Sequence, residues 1–516
     1  MITKQHQYEG ESRRNFLKQL SGGMFLSTLG VGLSSELGLA STTWLEDESS
    51  RELDFGGLSR WADLLTHTPL KKLQPALVRE FEAGAKPAQL IAAGALANAR
   101  AFGGEDYEGY HAFMALMPSY EMSTEMEGRE SWLPVMKVLY RTTARIQKLD
   151  RDEYPMLKSH PKAMSIDPKG PVDGRAVVAC VKLENKAEAE ARFDSLVRKD
   201  AKAAVEQLIP VVCEEVDVHR VVLAWRGWDL LRLTGPEHAR TLMRQSIRQC
   251  VEREANMRQD PIRQGLPKVL QSCKVLETPL GHRPVDDAWI ERLARSLVDA
   301  SREQGAGLVA GALEEGSEPD SIGQALSLAS TYLMLRQRGR DSASSGKPVG
   351  SVHGAGTGVH SSDTAAAWRG MSRFGSDRQC KMALIAGGYH VSGQSQNVGR
   401  DFFDYESIKV ESRESADLLG MLNECIRSQD QAGAAAAASC YTKLGHPVAE
   451  LIKVLRDVSL RSDGALHAEK YYRTQLEAMT SDRASFRMHH AAALARVCAS
   501  ESFMEAAGRR QALDLI

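Results

Sequence analysis

Apolar residues recur three and four positions apart along most of the chain after Ala40, the spacing that lines one face of a helix. The runs Ala76 to Phe102, Trp132 to Lys148, Ala187 to Cys213, Val218 to Leu233, Glu237 to Met257, Asp286 to Leu313 and Ile322 to Arg336 follow it with few interruptions. So do Glu414 to Gln429, Pro447 to Leu460, Leu466 to Met479 and Ser485 to Val497. β-like patterns are confined to Arg175 to Leu183 and Lys381 to Val391, and a buried helix reads the same way over so short a run. The pattern predicts a mainly α protein, a large assembly of helical hairpins or helical repeats with little or no β structure. Proline and glycine between Lys158 and Gly174, and serine and glycine between Gln337 and Gly358, mark loops. They divide the mature chain into an N-terminal helical region (41–160), a central one (161–340) and a C-terminal one (341–516). Ala-Trp-Arg-Gly occurs at 224–227 and again at 367–370, each copy downstream of a histidine, His219 or His360, as a degenerate hairpin repeat would place them.

The start of the chain breaks the helical pattern. Ser12-Arg13-Arg14-Asn15-Phe16-Leu17-Lys18 is a twin-arginine export motif, followed by a weakly apolar stretch from Met24 to Leu33 and small residues up to Ala40. Residues 1–40 are expected to be a signal peptide that engages the twin-arginine translocation machinery and delivers the chain, already folded, to the periplasm or another extracytoplasmic space. That route suits a protein whose cofactor is loaded before export. Beyond it no run approaches the ~18 uncharged apolar residues of a membrane-spanning helix, so no span is expected in the mature protein. With 65 basic against 67 acidic side chains the chain carries no broad basic field, which argues against nucleic acid as a partner. The eight cysteines are scattered, with no C-x-x-C, which leaves no covalent haem site and no zinc ribbon.

Candidate chemistry lies with histidine. The segment from Ser351 to Asp363 sets His353 and His360 among Gly354, Gly356 and Gly358, and Ser361-Ser362-Asp363 is placed to cap the helix that follows. It lacks the strand of a Rossmann fingerprint and the lysine of a P-loop. His111, His219 and His467 each open a helical pattern as well. Packed helices can bring such positions to one internal site, and imidazole is both the commonest metal ligand and a proton carrier near neutral pH. The expectation is a transition-metal site drawn from His111, His219, His353, His360 and His467, or a histidine-lined pocket for an oxidisable organic substrate. H-E-x-x-H and G-x-S-x-G are absent, and E-x-x-H occurs once, as Glu108 with His111.

His353-Gly354 followed after five residues by His360, and His467-Ala468-Glu469-Lys470-Tyr471, resemble the H-G-x5-H and H-A-x-K-[YF] elements of the questin oxidase-like proteins. The resemblance implies an α-helical fold without a Rossmann domain. It implies Baeyer-Villiger-type oxygenation and ring opening of aromatic polyketides with NADPH, and an active site lined by His353, His360, His467 and Lys470. There His353 and His360 would act as ligands or acid/base groups, His467 and His111 would complete the shell, and Lys470 would offer a cation to a developing oxyanion. Two features depart from the family. Ala355-Gly356-Thr357-Gly358 stands where an arginine is expected, and an exported chain leaves the compartment that supplies NADPH. The function expected is that of an exported, monooxygenase-like oxidoreductase acting on a small molecule. The alternative is a non-enzymatic helical-repeat binding protein of the cell envelope, in which these histidines would lie far apart.

Overall fold

The computed structural model describes residues 53–152, 155–158, 173–215, 217–257, 265–343, 347–352, 357–401, 403–462, 466–500 and 505–516. The export segment and His353 lie outside them. Among the described residues helix follows helix and pairing of β type is limited to isolated bridges, so the chain is mainly α. Helices used below are α1 (Pro87–Phe102), α2 (Tyr107–Thr124), α3 (Leu133–Ile146), α4 (Val218–Asp229), α5 (Ala239–Met257), α6 (Pro319–Arg336), α7 (Thr357–Ser372), α8 (Asp377–Ser392), α9 (Gln431–Lys443), α10 (His467–Ser481) and α11 (Arg487–Ser500).

Long apolar runs are cut where a local signal overrides periodicity. Gly84, at φ 97°, ends one helix and Pro87 starts α1, so Ala76 to Phe102 is two helices. Asp200 divides Ala187 to Cys213 by accepting from the amides of Lys202 and Ala203 at 2.8 and 3.2 Å. Ser301 and Gln304 form a reciprocal cap that divides Asp286 to Leu313. Both β-like runs are helical: Arg175 to Leu183 falls in Gly174–Lys182 and Lys381 to Val391 in α8. In α8 every residue from Cys380 to Ser392 is buried, and burial on all sides erases the amphipathic stripe that periodicity reads. α7 starts at Thr357, so Ser361, Ser362 and Asp363 lie inside the helix rather than capping it, and His360 is helical too.

One continuous apolar core runs from Phe55 to Ala512. At its centre α2, α4, α7 and α10 close a ring in which each helix packs on the next and α10 returns to α2. All four run the same way. Along α7 and α10 the facing pairs climb together, His360 with His467, Asp363 with Lys470 and Arg369 with Asp482. Along α2 and α10 they run from His111 with His467 to Glu121 with Arg473. On α4 and α7, His219 faces His360 near one end, and near the other Gly370 admits the Trp225 ring, which a Cβ would meet at 2.6 Å. Parallel neighbours require a return path, and the next long helix after each, α3, α5, α8 or α11, packs back against it. This repeated hairpin leaves the N-termini of four helices at one end of the ring.

Candidate functional site: a histidine quartet at four helix N-termini

Each ring helix carries a histidine in its first turns. Asp106 caps α2 through the Gly109 amide at 2.7 Å, which sets His111 one turn in. Asp217 caps α4 through the amides of His219 and Arg220 at 2.8 and 3.2 Å. His360 sits in the first turn of α7, and His467 is the first residue of α10. Leu466, just before it, is buried in the left-handed region at φ 65°, a conformation that costs a side-chain-bearing residue about 1–2 kcal/mol. The chain accepts that strain where it turns His467 into the ring.

The four imidazoles meet. Nε2 of His111 lies 3.1 Å from Nε2 of His219, and Nε2 of His360 lies 3.2 Å from Nε2 of His467. The two couples adjoin, with ring centroids 5.5 Å apart for His111 and His467 and 5.8 Å for His219 and His360. Tyr107 and Tyr110 flank the first couple, their rings 4.2 and 5.3 Å from that of His111. His111 and His467 are buried, whereas His219 and His360 keep partial exposure and Tyr107 is 58% exposed, so one side of the quartet faces water.

Hydrogen bonding fixes the protons on the first couple. Nδ1 of His111 is 2.6 Å from the Tyr107 carbonyl oxygen, which can only accept, so Nδ1 carries the hydrogen. Nδ1 of His219 is 3.1 Å from Asp217 Oδ1. Burial pushes the Asp217 carboxyl up, but hydrogen bonds from His219 and the nearby Arg253 outweigh it and hold it well below the usual carboxylate range, so this oxygen also only accepts. With each Nδ1 so engaged, the two Nε2 atoms face each other across 3.1 Å. Burial, reinforced by Lys470 and His219, pushes the His111 imidazole down to about 2, and burial with the same neighbours pushes His360 down to about 4. Four helix N-termini, each with a partial positive charge, further disfavour added protons.

One turn behind the quartet is a charged layer. Lys470 Nζ lies 3.4 Å from Asp363 Oδ2, and Arg226 approaches Asp363 Oδ1 at 4.0 Å while binding Asp229 at 3.3 Å. Burial pulls the Lys470 amine below its ordinary value, with Asp363 opposing. Of the residues expected from sequence, His111, His219, His360 and His467 stand together and Lys470 stands just behind them. Glu108 turns outward toward Arg145 at 3.5 Å, so the lone E-x-x-H does not pair at the site.

Sequence reasoning missed His390 on α8, buried and near enough to Asp217, His360 and His219 to feel their charges, because it fell inside the β-like run. It also passed over Asp217 as an orienting group and Asp363 as the Lys470 partner. The spacing was available: His360 with Asp363 and His467 with Lys470 are both i, i+3 pairs, which share a helix face.

The separations of 3.1 and 3.2 Å fall a little short of the ~3.3–3.4 Å between two nitrogens bound to one ion at ~2.0–2.1 Å each with tetrahedral angles. The nitrogens stand as couples, and among the described residues no group of three or more His, Cys, Asp or Glu side chains is already set around a metal position. No family model matches this chain, and no curated protein or solved structure is similar enough to count as a match.

Proposed function

We propose that His111, His219, His360 and His467 bind one first-row transition-metal ion, and that the chain is an exported helical oxidoreductase-like enzyme that uses this centre on a small organic substrate. The observation that carries the reading is the convergence of four imidazoles from four helices, with Nε2 atoms 3.1 Å apart in one couple and 3.2 Å in the other. Two facing imidazole nitrogens at this distance are held either by a shared proton or by a metal cation. A proton would serve one couple, but protonating both would add two charges beside Lys470 and four positive helix ends. One divalent ion would answer both couples at once. Asp217 and the Tyr107 carbonyl then act as groups that orient the ligating rings, as carboxylates and carbonyls do behind metal-bound histidines. The water-facing side favours an exchangeable position, which a closed structural site lacks. Imidazole ligands suit zinc, copper, iron and nickel, and a bound ion would polarise substrate or activate oxygen or water. Similarity to the questin oxidase-like motifs and a twin-arginine leader fit a centre loaded before export, with an electron donor other than NADPH.

Metal analysis of the purified protein tests this. About one equivalent is expected per chain, falling at least tenfold in the double variant His111→Ala/His219→Ala, by the usual weight of ligand loss. A folded protein that takes up no zinc, copper, iron, nickel or cobalt would refute it. A second reading is favoured by the lack of a ready three-ligand group: the couples would serve as metal-free proton shuttles to the substrate. A metal-free protein whose activity is lost in His219→Ala would support that reading instead.

A further inference from the structure

A second constellation lies outside the ring, where α6 and α11 meet the segment from Phe403 to Val410 and two cavities adjoin. The first, of about 330 Å³, is walled by the rings of Tyr332, Phe403 and Tyr405 and by His489, and is of a size that holds a small molecule. The second, of about 190 Å³, shares Tyr405 and Glu406 with it and continues to Ile408, Ser439 and Lys443. Two polar atoms in these walls are unanswered. Nδ1 of His489 and Oγ of Ser439 are buried with no hydrogen-bond partner among the described residues, and Ser439 as a whole is 3% exposed. Buried polar atoms are normally paired, so each points to a group that completes it.

The charges around the cavities have a sign. Arg295, 5.1 Å from the Tyr332 ring centre, is matched by Glu291 at 2.7 Å. Asp404 accepts the Ser407 amide at 3.2 Å, and neither it nor Glu406 enters an ion pair among the described residues. Against these two carboxylates stands the ammonium of Lys443, in the second cavity. Burial holds the His489 imidazole below its ordinary value, with Glu291 and Glu406 opposing, so the ring adds no positive charge. Aromatic walls with surplus negative charge attract an organic cation, and the Arg295 guanidinium already rests over one of those rings.

The geometry points to a binding site for a small organic ammonium ion carried on a short stem. Its head lies among Tyr332, Phe403 and Tyr405 with Asp404 and Glu406 as counter-charges. The stem runs past Tyr405 toward Ile408, and a hydroxyl or N–H on it completes His489 or Ser439. This site is separate from the quartet and stands whether or not the quartet holds a metal.

The test is a saturation-transfer NMR titration of the full chain with choline, and with 3,3-dimethylbutan-1-ol, which has the same shape without the charge. Choline is expected to saturate and to bind about fivefold or more tightly than the alcohol. Asp404→Asn/Glu406→Gln, at two exposed positions, should weaken choline by about fivefold or more and the alcohol by less than about twofold. If that variant does not fold, Arg295→Ala decides the matter: removal of the competing guanidinium should tighten choline, and an unchanged or weaker affinity refutes the site. Choline affinity unchanged in the double variant would place the cation elsewhere and overturn the proposal. Equal binding of choline and the alcohol, or no choline binding at millimolar concentration, would overturn it as well.

Discussion

The two ends of the central ring are built by the same four helices and solve opposite problems. At the N-terminal end four imidazoles face one another through their Nε2 atoms, beside a strained Leu466. Toward the other end charges are paired between helices. Arg369 of α7 binds Asp482 at 2.5 Å and Asp320 at 3.2 Å, and Glu121 of α2 takes Arg232 at 2.9 Å and Arg473 at 2.5 Å. Tyr472 closes on Glu125. The far end ties the ring together through ion pairs between helices, whereas the near end brings four titratable rings into contact with one another.

That contrast breaks most visibly at Arg369. Its replacement by methionine leaves Asp482 as an uncompensated buried charge, and the expected loss is about 3–5 kcal/mol in urea unfolding. Metal uptake by the folded fraction should be unaffected. The reverse holds at the quartet. Cobalt at about a thousandfold over its dissociation constant should stabilise the parent protein by roughly 4 kcal/mol, and the gain should vanish in His360→Ala/His467→Ala. A metal-induced shift that survives the double variant would place the ion elsewhere.

Between the ends, packing of α4 on α7 depends on Gly370. A methyl group there meets the Trp225 ring at 2.6 Å, so Gly370→Ala should cost about 1–3 kcal/mol, read from the same unfolding curves. This glycine and its tryptophan belong to the two Ala-Trp-Arg-Gly copies, and they show what the sequence could and could not convey. The copies were visible as text, but that Trp225 of one would seat on Gly370 of the other is a fact of three-dimensional packing. Helical character was legible in most long runs where one face stayed wet, though not in the short amphipathic helix Ser59–His67. It was lost in α8, where burial on every side removes the polar face, and in α9, whose run Ala434 to Ala438 packs against α11 without a stripe to detect. The histidines were legible as residues opening helices. The couples they form depend on four parallel neighbours separated by intervening helices, and no local pattern encodes that register.

The smallest effect sharpens the comparison by pH. Asp320, in the first turn of α6, lies 3.2 Å from Arg369, 3.0 Å from Arg373 and 3.0 Å from the Gln324 amide. Burial raises its carboxyl, but Arg369, Gln324 and Arg373 together outweigh that and lower it to about 2 from an ordinary 3.8. The folded state thus holds the proton less firmly than the unfolded chain does. Its contribution is complete above the ordinary value and disappears as pH falls through the folded one, so the parent protein should lose stability between about pH 4 and about pH 2. Asp320→Asn should flatten that limb, with the difference between the two urea midpoints shrinking as acid is added. Asp320 is 45% exposed, so solvent and salt screen the pair and the effect should weaken with added salt. An acid limb unchanged by the substitution would remove Asp320 as its source; Asp482 could not replace it, because burial raises its carboxyl to about 6 and acid then favours the folded state.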